Sequence, residues 1–429
     1  MKRNNRLQKS RSIKKNYFFE IVILFLLLVS GVSIAQKNTK IEIGSIDSLY
    51  SKTLGEQRKV WIHLPRSVAF GGLNKQKYPV VYLLDGDAHF SSVVGMIEQL
   101  SEINGNTLCP EMIVVGIPNT IRTRDLTPTH SDVDFPFVNE DMSKQSGGGE
   151  KFAEFLEKEL IPYINNKYPT TSYKTLIGHS FGGLTVMNIL TNHTHLFNSY
   201  VSIDPSMWWD HEKYLKETLT KLKLQKFSNT SLFLGIANTM DEKMDIFKVR
   251  KDTTVMTKHI RSILDLNDFL NQNNKNGLRY KSQYYKEDSH GSVPLIATYD
   301  ALRFIFDFNQ LKLSILEQMN FDRAVFTKIE RHYETVSKNL GYKVNVPEQV
   351  INTYGYQALS QKNNDLAGYL FKLNVANYPE SPNTYDSLGD YYEANGDKKN
   401  AIASFQKALS FGTDFPETKQ KLEKLLNEK

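Results

Sequence analysis

The chain has 429 residues, of which 40% are hydrophobic and 23% charged, an ordinary balance for a globular protein. That balance excludes a collagenous, coiled-coil or disordered chain, and at roughly 100–200 residues per domain the length predicts two domains. The formal charge of +6 does not signal nucleic-acid binding: seven basic residues and one acid fall within residues 1–35, and the rest of the chain carries 46 of each sign. No basic surface for a phosphate backbone is expected.

Residues 1–35 fit an export signal. A basic stretch ends at Lys15, an apolar run follows from Ile21 to Ala35, and Ser33-Ile34-Ala35 before Gln36 is a small-x-small cleavage site. The run is shorter than the ~20 residues needed to span a bilayer, so no stable membrane span is expected once it is cleaved. An uncleaved anchor is the alternative, because Phe18 and Phe19 extend the run past Glu20. The sole cysteine, Cys109, permits neither an internal disulfide nor a cysteine-based zinc site. An exported protein held by core packing alone suits a bacterial periplasm or surface.

From residue 40 to 310 the pattern alternates. Residues 59–64 alternate as a strand should, and 79–84 and 112–117 are continuous apolar runs expected of strands buried on both faces. Further strands are predicted at 175–178, 200–203, 231–236 and 279–285. Helices are predicted at 88–103, 150–168, from 181, and at 293–308. Such alternation indicates an α/β fold with a mainly parallel sheet.

After Gln310 no convincing strand remains. Tyr385, Leu388, Gly389, Tyr392, Gly396, Ala401, Phe405 and Ala408 match a 34-residue tetratricopeptide repeat. Gly355, Ala367 and Phe371 stand one period earlier, and Pro379 falls where such a repeat ends. The expected division is therefore a signal (1–35), an α/β domain (40–310), a helical linker (311–347) and an all-α repeat region with a capping helix (348–429). With so few repeats the tail needs another surface. It is expected to pack on the first domain through Leu316, Met319, Phe326 and Ile329.

The sharpest chemical signal is Gly178-His179-Ser180-Phe181-Gly182-Gly183, a G-x-S-x-G between a strand and a helix. That context is a nucleophile elbow: the tight turn lifts the serine hydroxyl above the sheet edge and aims the Phe181 N–H at a developing oxyanion. A serine needs a base, and the chain order on this fold is serine, acid, histidine. His290, in a loop between a strand and a helix, is the expected base. The acid is open among three residues. Asp241 is favoured, in the loop after residues 231–236, ahead of Glu242 in the same loop and Asp204 after the preceding strand. Gly86 and Asp87, after the strand at 79–84, are expected to supply the second oxyanion donor.

Trp208 and Trp209 are candidates for an aromatic substrate wall, with core packing as the alternative. Arg124, beside Arg122 and Asp125, is a candidate for orienting substrate, with a solvated ion pair as the alternative. Asp85, Asp87 and Asp134 lack a His or Cys at ligand spacing, so neither metal nor cofactor is expected.

Taken together, LLDGD, GHSFGG, IDPSMWW and SHGSVP resemble the putative-esterase family of α/β hydrolases, which includes esterase-D-like enzymes, mycolyltransferase antigens and siderophore esterases. The likeness covers about residues 40–310. It implies that Ser180 is the nucleophile and His290 the base, with Gly86, Asp87 and Phe181 as the oxyanion region. It also implies a small-molecule or glycan ester substrate such as a siderophore, feruloyl or acetylated-sugar ester. Acyl transfer by the same residues and a non-catalytic binding platform are the rival readings, with a protein partner on the helical repeats in the latter.

Overall fold

The computed structural model describes residues 40–69, 76–134, 136–273, 275–319, 322–412 and 415–427; the export signal expected at 1–35 lies outside them. Residues 43–429 form one compact unit. Its centre is an eight-stranded sheet of β1 (Ser45–Ser51), β2 (Glu56–His63), β3 (Tyr78–Leu84), β4 (Ile113–Ile117), β5 (Thr170–His179), β6 (Ser199–Ile203), β7 (Ser231–Ala237) and β8 (Arg279–Tyr285). The strand order is β1-β2-β4-β3-β5-β6-β7-β8. β1 and β2 run antiparallel, and β4 through β8 pair in parallel.

This is the α/β-hydrolase architecture expected from the alternation. The central strands are continuous apolar runs because helices cover both faces. Val81 and Leu83 of β3 point to one side, against α1 (Gly86–Ser101) and α5 (Val293–Ile305); Val80, Tyr82 and Leu84 point to the other. That second face is covered by α2 (Phe181–Asn192), α3 (Lys213–Leu224), α4 (Lys258–Gln272) and the helical stretch over residues 149–167. The chain moves from β3 to β4 on one side and then to β5 on the other. The carboxyl ends of β3 and β5 therefore form a topological switch point, where open α/β sheets bind ligands.

The polar edge strand β1 was not foreseen. Its large apolar residues Ile46 and Tyr50 face solvent, which inverts the pattern by which strands are recognised.

Beyond Gln310 come a short helix Ile315–Met319, α6 (Arg323–Leu340), α7 (Glu348–Ser360), α8 (Asn364–Asn377), α9 (Pro382–Ala394), α10 (Lys398–Leu409) and α11 (Pro416–Asn427). From α7 onward each packs on the next. A Cβ on Gly355 would meet the Phe371 ring at 2.8 Å, and one on Gly389, thirty-four residues later, would meet Phe405 at 2.4 Å. The same small-residue-to-aromatic contact thus recurs at the spacing read from the sequence.

Helix α6 joins two cores. Val325, Phe326 and Ile329 belong to the core of the helical tail, with Ile351, Leu370 and Phe371. Val336 and Leu340 instead pack into the hydrolase core with Tyr173 and Phe306. The tail therefore docks through the C-terminal half of α6. Leu316 and Met319, expected in that contact, are 71% and 69% exposed. Leu340→Ala is expected to cost about 2–5 kcal/mol in denaturant unfolding, as for other buried leucines. Deleting residues 311–429 should uncover Tyr173 and Phe306 and lower solubility or melting temperature. Unchanged stability of both proteins would mean that the contact is dispensable.

Candidate active site

Ser180 closes β5 and opens α2, with φ 59° and ψ −117°. A non-glycine residue in that region costs on the order of 1–3 kcal/mol, and the surroundings hold it there. Its N–H donates to Ile203 O at 3.0 Å, and its carbonyl accepts from Leu184 N–H at 2.9 Å and Ser206 N–H at 3.2 Å. The turn is so tight that a Cβ on Gly178 would lie 2.3 Å from Gly182 O. Ser180 is half-buried, and its Oγ lies 3.4 Å from Ser206 Oγ. The N–H groups of Phe181, Gly86 and Asp87 belong to the first turns of α2 and α1. Helix-opening N–H groups lack intrahelical acceptors and carry the positive end of the helix dipole.

The loop holding Gly86 and Asp87 is fixed by Asp85, which is buried at a φ of 51°. Arg122 grips its carboxylate with Nε at 2.6 Å and Nη2 at 2.9 Å, and Asn119 Nδ2 adds a bond at 2.7 Å. Burial alone would raise the Asp85 pKa, but Arg122 outweighs it and holds the carboxyl below its ordinary range. The same guanidinium lies over the Phe181 ring, 5.4 Å from its centroid, so one side chain ties the β3 loop to the elbow. A Cβ on Gly86 would come within 2.6 Å of Ile117 N, which is why this turn needs glycine.

His290 lies in the loop between β8 and α5, half-exposed. Its Nδ1 is 2.6 Å from Oδ2 of Asp204. The same oxygen receives His259 Nε2, from α4, at 2.8 Å, and Oδ1 receives Ala237 N–H at 3.0 Å. Asp204 is fully buried. Burial opposes its ionisation, but the two imidazoles outweigh that and hold its pKa well below the ordinary carboxylate value. Asp204, His259 and His290 place one ligand atom each within 4.8 Å of one another, a spacing that would also suit a cation. The N···O distances are those of charge-assisted hydrogen bonds.

The structure thus pairs His290 with Asp204, one of the two less favoured candidates, and not with Asp241. Asp204 is the first residue after β6, and its N–H bonds Gly235 O of β7 at 2.8 Å, which fixes it inside the end of the sheet. Asp241 and Glu242 lie four and five residues past β7, with exposed side chains. Their loop supports the base differently: Asn238 N–H donates to Asp288 O at 2.8 Å, and Asn238 Nδ2 to Lys286 O at 2.9 Å.

Arg124 does not hold a free cation for substrate. Nη1 and Nη2 bind Glu56 at 3.0 and 2.7 Å, and Nε binds Asp125 at 2.7 Å. Trp208 and Trp209 are core residues, 6% and 0% exposed. Trp209 Nε1 donates to Thr129 O at 3.0 Å, and both rings pack on Phe181. They support the elbow from behind. His259 carries no sequence signal of a role here, and only the fold brings it to Asp204.

His179 adds a titration. Its ring lies 4.4 Å from that of His290 and 6.0 Å from that of His89, and its buried Nε2 has no hydrogen-bond partner among the described residues. Burial first, and the neighbouring His290 second, lower its pKa to about 4 from 6.5. A histidine held neutral by the fold takes up its proton more readily when unfolded. Stability is therefore complete above pH 6.5 and is lost as pH falls from about 6.5 to about 4, by up to about 3 kcal/mol. Melting temperature against pH should fall less steeply in His179→Gln than in the wild type over this interval. Equal slopes would contradict the assignment.

Residues 51–259 match the family described as "Putative esterase". The chain is 27% identical over 169 residues to the ferri-bacillibactin esterase BesA of Bacillus subtilis, covering 37% of this chain and 58% of that protein. It is 24% identical over 241 residues to a siderophore triacetylfusarinine C esterase of Aspergillus fumigatus, covering 53% and 82% respectively. Its structure is similar to an IroE-like serine hydrolase from Shewanella oneidensis, with a TM-score of 0.63 and 30% identity over 77% of this chain and 98% of that one. An uncharacterised protein from Capnocytophaga ochracea shares the fold over 90% of this chain, with a TM-score of 0.54 and 21% identity. With its strand-to-helix serine and a histidine on a buried aspartate, the chain belongs to this esterase family of α/β serine hydrolases.

Proposed function

We propose that the protein is an exported serine esterase that cleaves small-molecule carboxylic esters through an acyl-enzyme, with siderophore esters as the substrate class. One observation carries the reading. Ser180, in a strained elbow, shares a sheet edge with His290, whose Nδ1 is committed to Asp204 at 2.6 Å. That bond leaves Nε2 of neutral His290 as the basic nitrogen.

In this mechanism Ser180 Oγ attacks the ester carbonyl carbon while His290 Nε2 takes the hydroxyl proton. The oxyanion is met by the N–H of Phe181 and by that of Gly86 or Asp87. Collapse breaks the carbon–oxygen bond to the alcohol, which leaves with the proton from His290. Water then adds to the acyl carbon, giving its proton to His290, and the second collapse releases the acid and restores the serine. Asp204 keeps its negative charge throughout and stabilises the imidazolium.

The substrate class rests on the named activities of the two curated relatives, and export rests on the composition of residues 1–35. The helical tail is read as a tetratricopeptide-like pair with a capping helix, and its free face is available to a protein partner.

A panel of siderophore, feruloyl, acetylated-sugar and p-nitrophenyl esters tested on residues 36–429 decides the reading. Ser180→Ala should lose roughly 10⁶-fold in turnover while remaining folded. Full activity in that variant would refute a serine mechanism. Preference for feruloyl or sugar esters would overturn the substrate class alone. Asp204→Asn should lower turnover by roughly 10⁴-fold, and Asp241→Asn should change it little. The reverse order would reinstate Asp241.

A further inference from the structure

We infer that His259 is a positioning residue of this active site, holding the Asp204 carboxylate toward His290. The inference rests on the assignment of Ser180, His290 and Asp204 proposed above.

Asp204 lies at the buried end of the sheet and accepts three hydrogen bonds. Ala237 N–H occupies Oδ1, while His259 Nε2 and His290 Nδ1 converge on Oδ2 at 2.8 and 2.6 Å. An ionised carboxylate has only acceptor sites, so both imidazoles must carry a proton on the nitrogen facing it. That fixes His259 as the Nε2–H tautomer and His290 as Nδ1–H. The two rings meet edge to face, with centroids 5.2 Å apart at 85°. His259 is anchored at the start of α4.

A two-point grip on Oδ1 and Oδ2 from different elements prevents the carboxylate from turning about its own axis. Without His259, Ala237 alone would hold Asp204, and the bond to His290 would lose its fixed direction.

The test uses the full chain with His259→Ala and His259→Gln, the latter keeping a donor of similar reach. In His259→Ala, kcat should fall roughly 10- to 100-fold with KM within about two-fold. His259→Gln, which restores a donor to Oδ2, should recover most of kcat. Nitrogen-15 spectra of the wild type at pH 8 should show the His259 proton on Nε2. A proton on Nδ1, or an alanine variant with unchanged kcat, would overturn the inference. So would a glutamine variant as impaired as alanine, which would reduce His259 to a packing role. Because Ser180→Ala reports on the serine mechanism separately, an inert His259 beside an inactive Ser180→Ala refutes this inference alone.

Discussion

One buried carboxylate organises the active end of the molecule. Asp204 can stay ionised in a site without solvent only because three N–H groups surround it, from β7, from α4 and from the loop after β8. An unpaired carboxylate there would be neutral. Its position immediately after β6 puts it next to Ser180 at the end of β5, and Ile203 O accepts from Ser180 N–H in the same turn. The Ser180 turn and Asp204 are therefore parts of one backbone arrangement, set by the adjacent parallel strands β5 and β6.

A second carboxylate does similar work on the other side of the elbow. Asp85 is held by Arg122 and Asn119, and Arg122 covers the Phe181 ring. The loop after β3, proposed to supply an oxyanion donor, is thus fixed to the start of α2 before any substrate arrives, the preorganisation that electrostatic stabilisation of a transition state requires. Trp208 and Trp209 fill the space behind Phe181. The helical tail closes the hydrolase core through Val336 and Leu340 of α6.

Most of this fold was legible in the sequence because its strands are buried on both faces and read as apolar runs. The exception is β1, whose Ile46 and Tyr50 face solvent while Ser51 is buried. The strand-to-helix junctions that carry Ser180 and His290 were legible because glycine marks each. The carboxylate that meets His290 was not, because Asp204, Asp241 and Glu242 all follow strands, and no local pattern tells which strand ends beside His290. His259 was invisible for a related reason: a histidine one residue into a helix looks like any helical histidine until the helix is docked. Arg124 and the two tryptophans were read outward, toward substrate. Packing turns them inward, toward Glu56 and Phe181.

The central claim is that Ser180 is activated by a histidine held on Asp204. The most direct measurement is the rate at which a fluorophosphonate forms an adduct, followed by intact mass and peptide mapping, in wild type, Asp204→Asn and Asp241→Asn. The account predicts a single adduct on Ser180 that forms equally fast in wild type and Asp241→Asn, and far more slowly in Asp204→Asn. An adduct on another residue, or slow labelling in Asp241→Asn with Asp204→Asn unaffected, would contradict it.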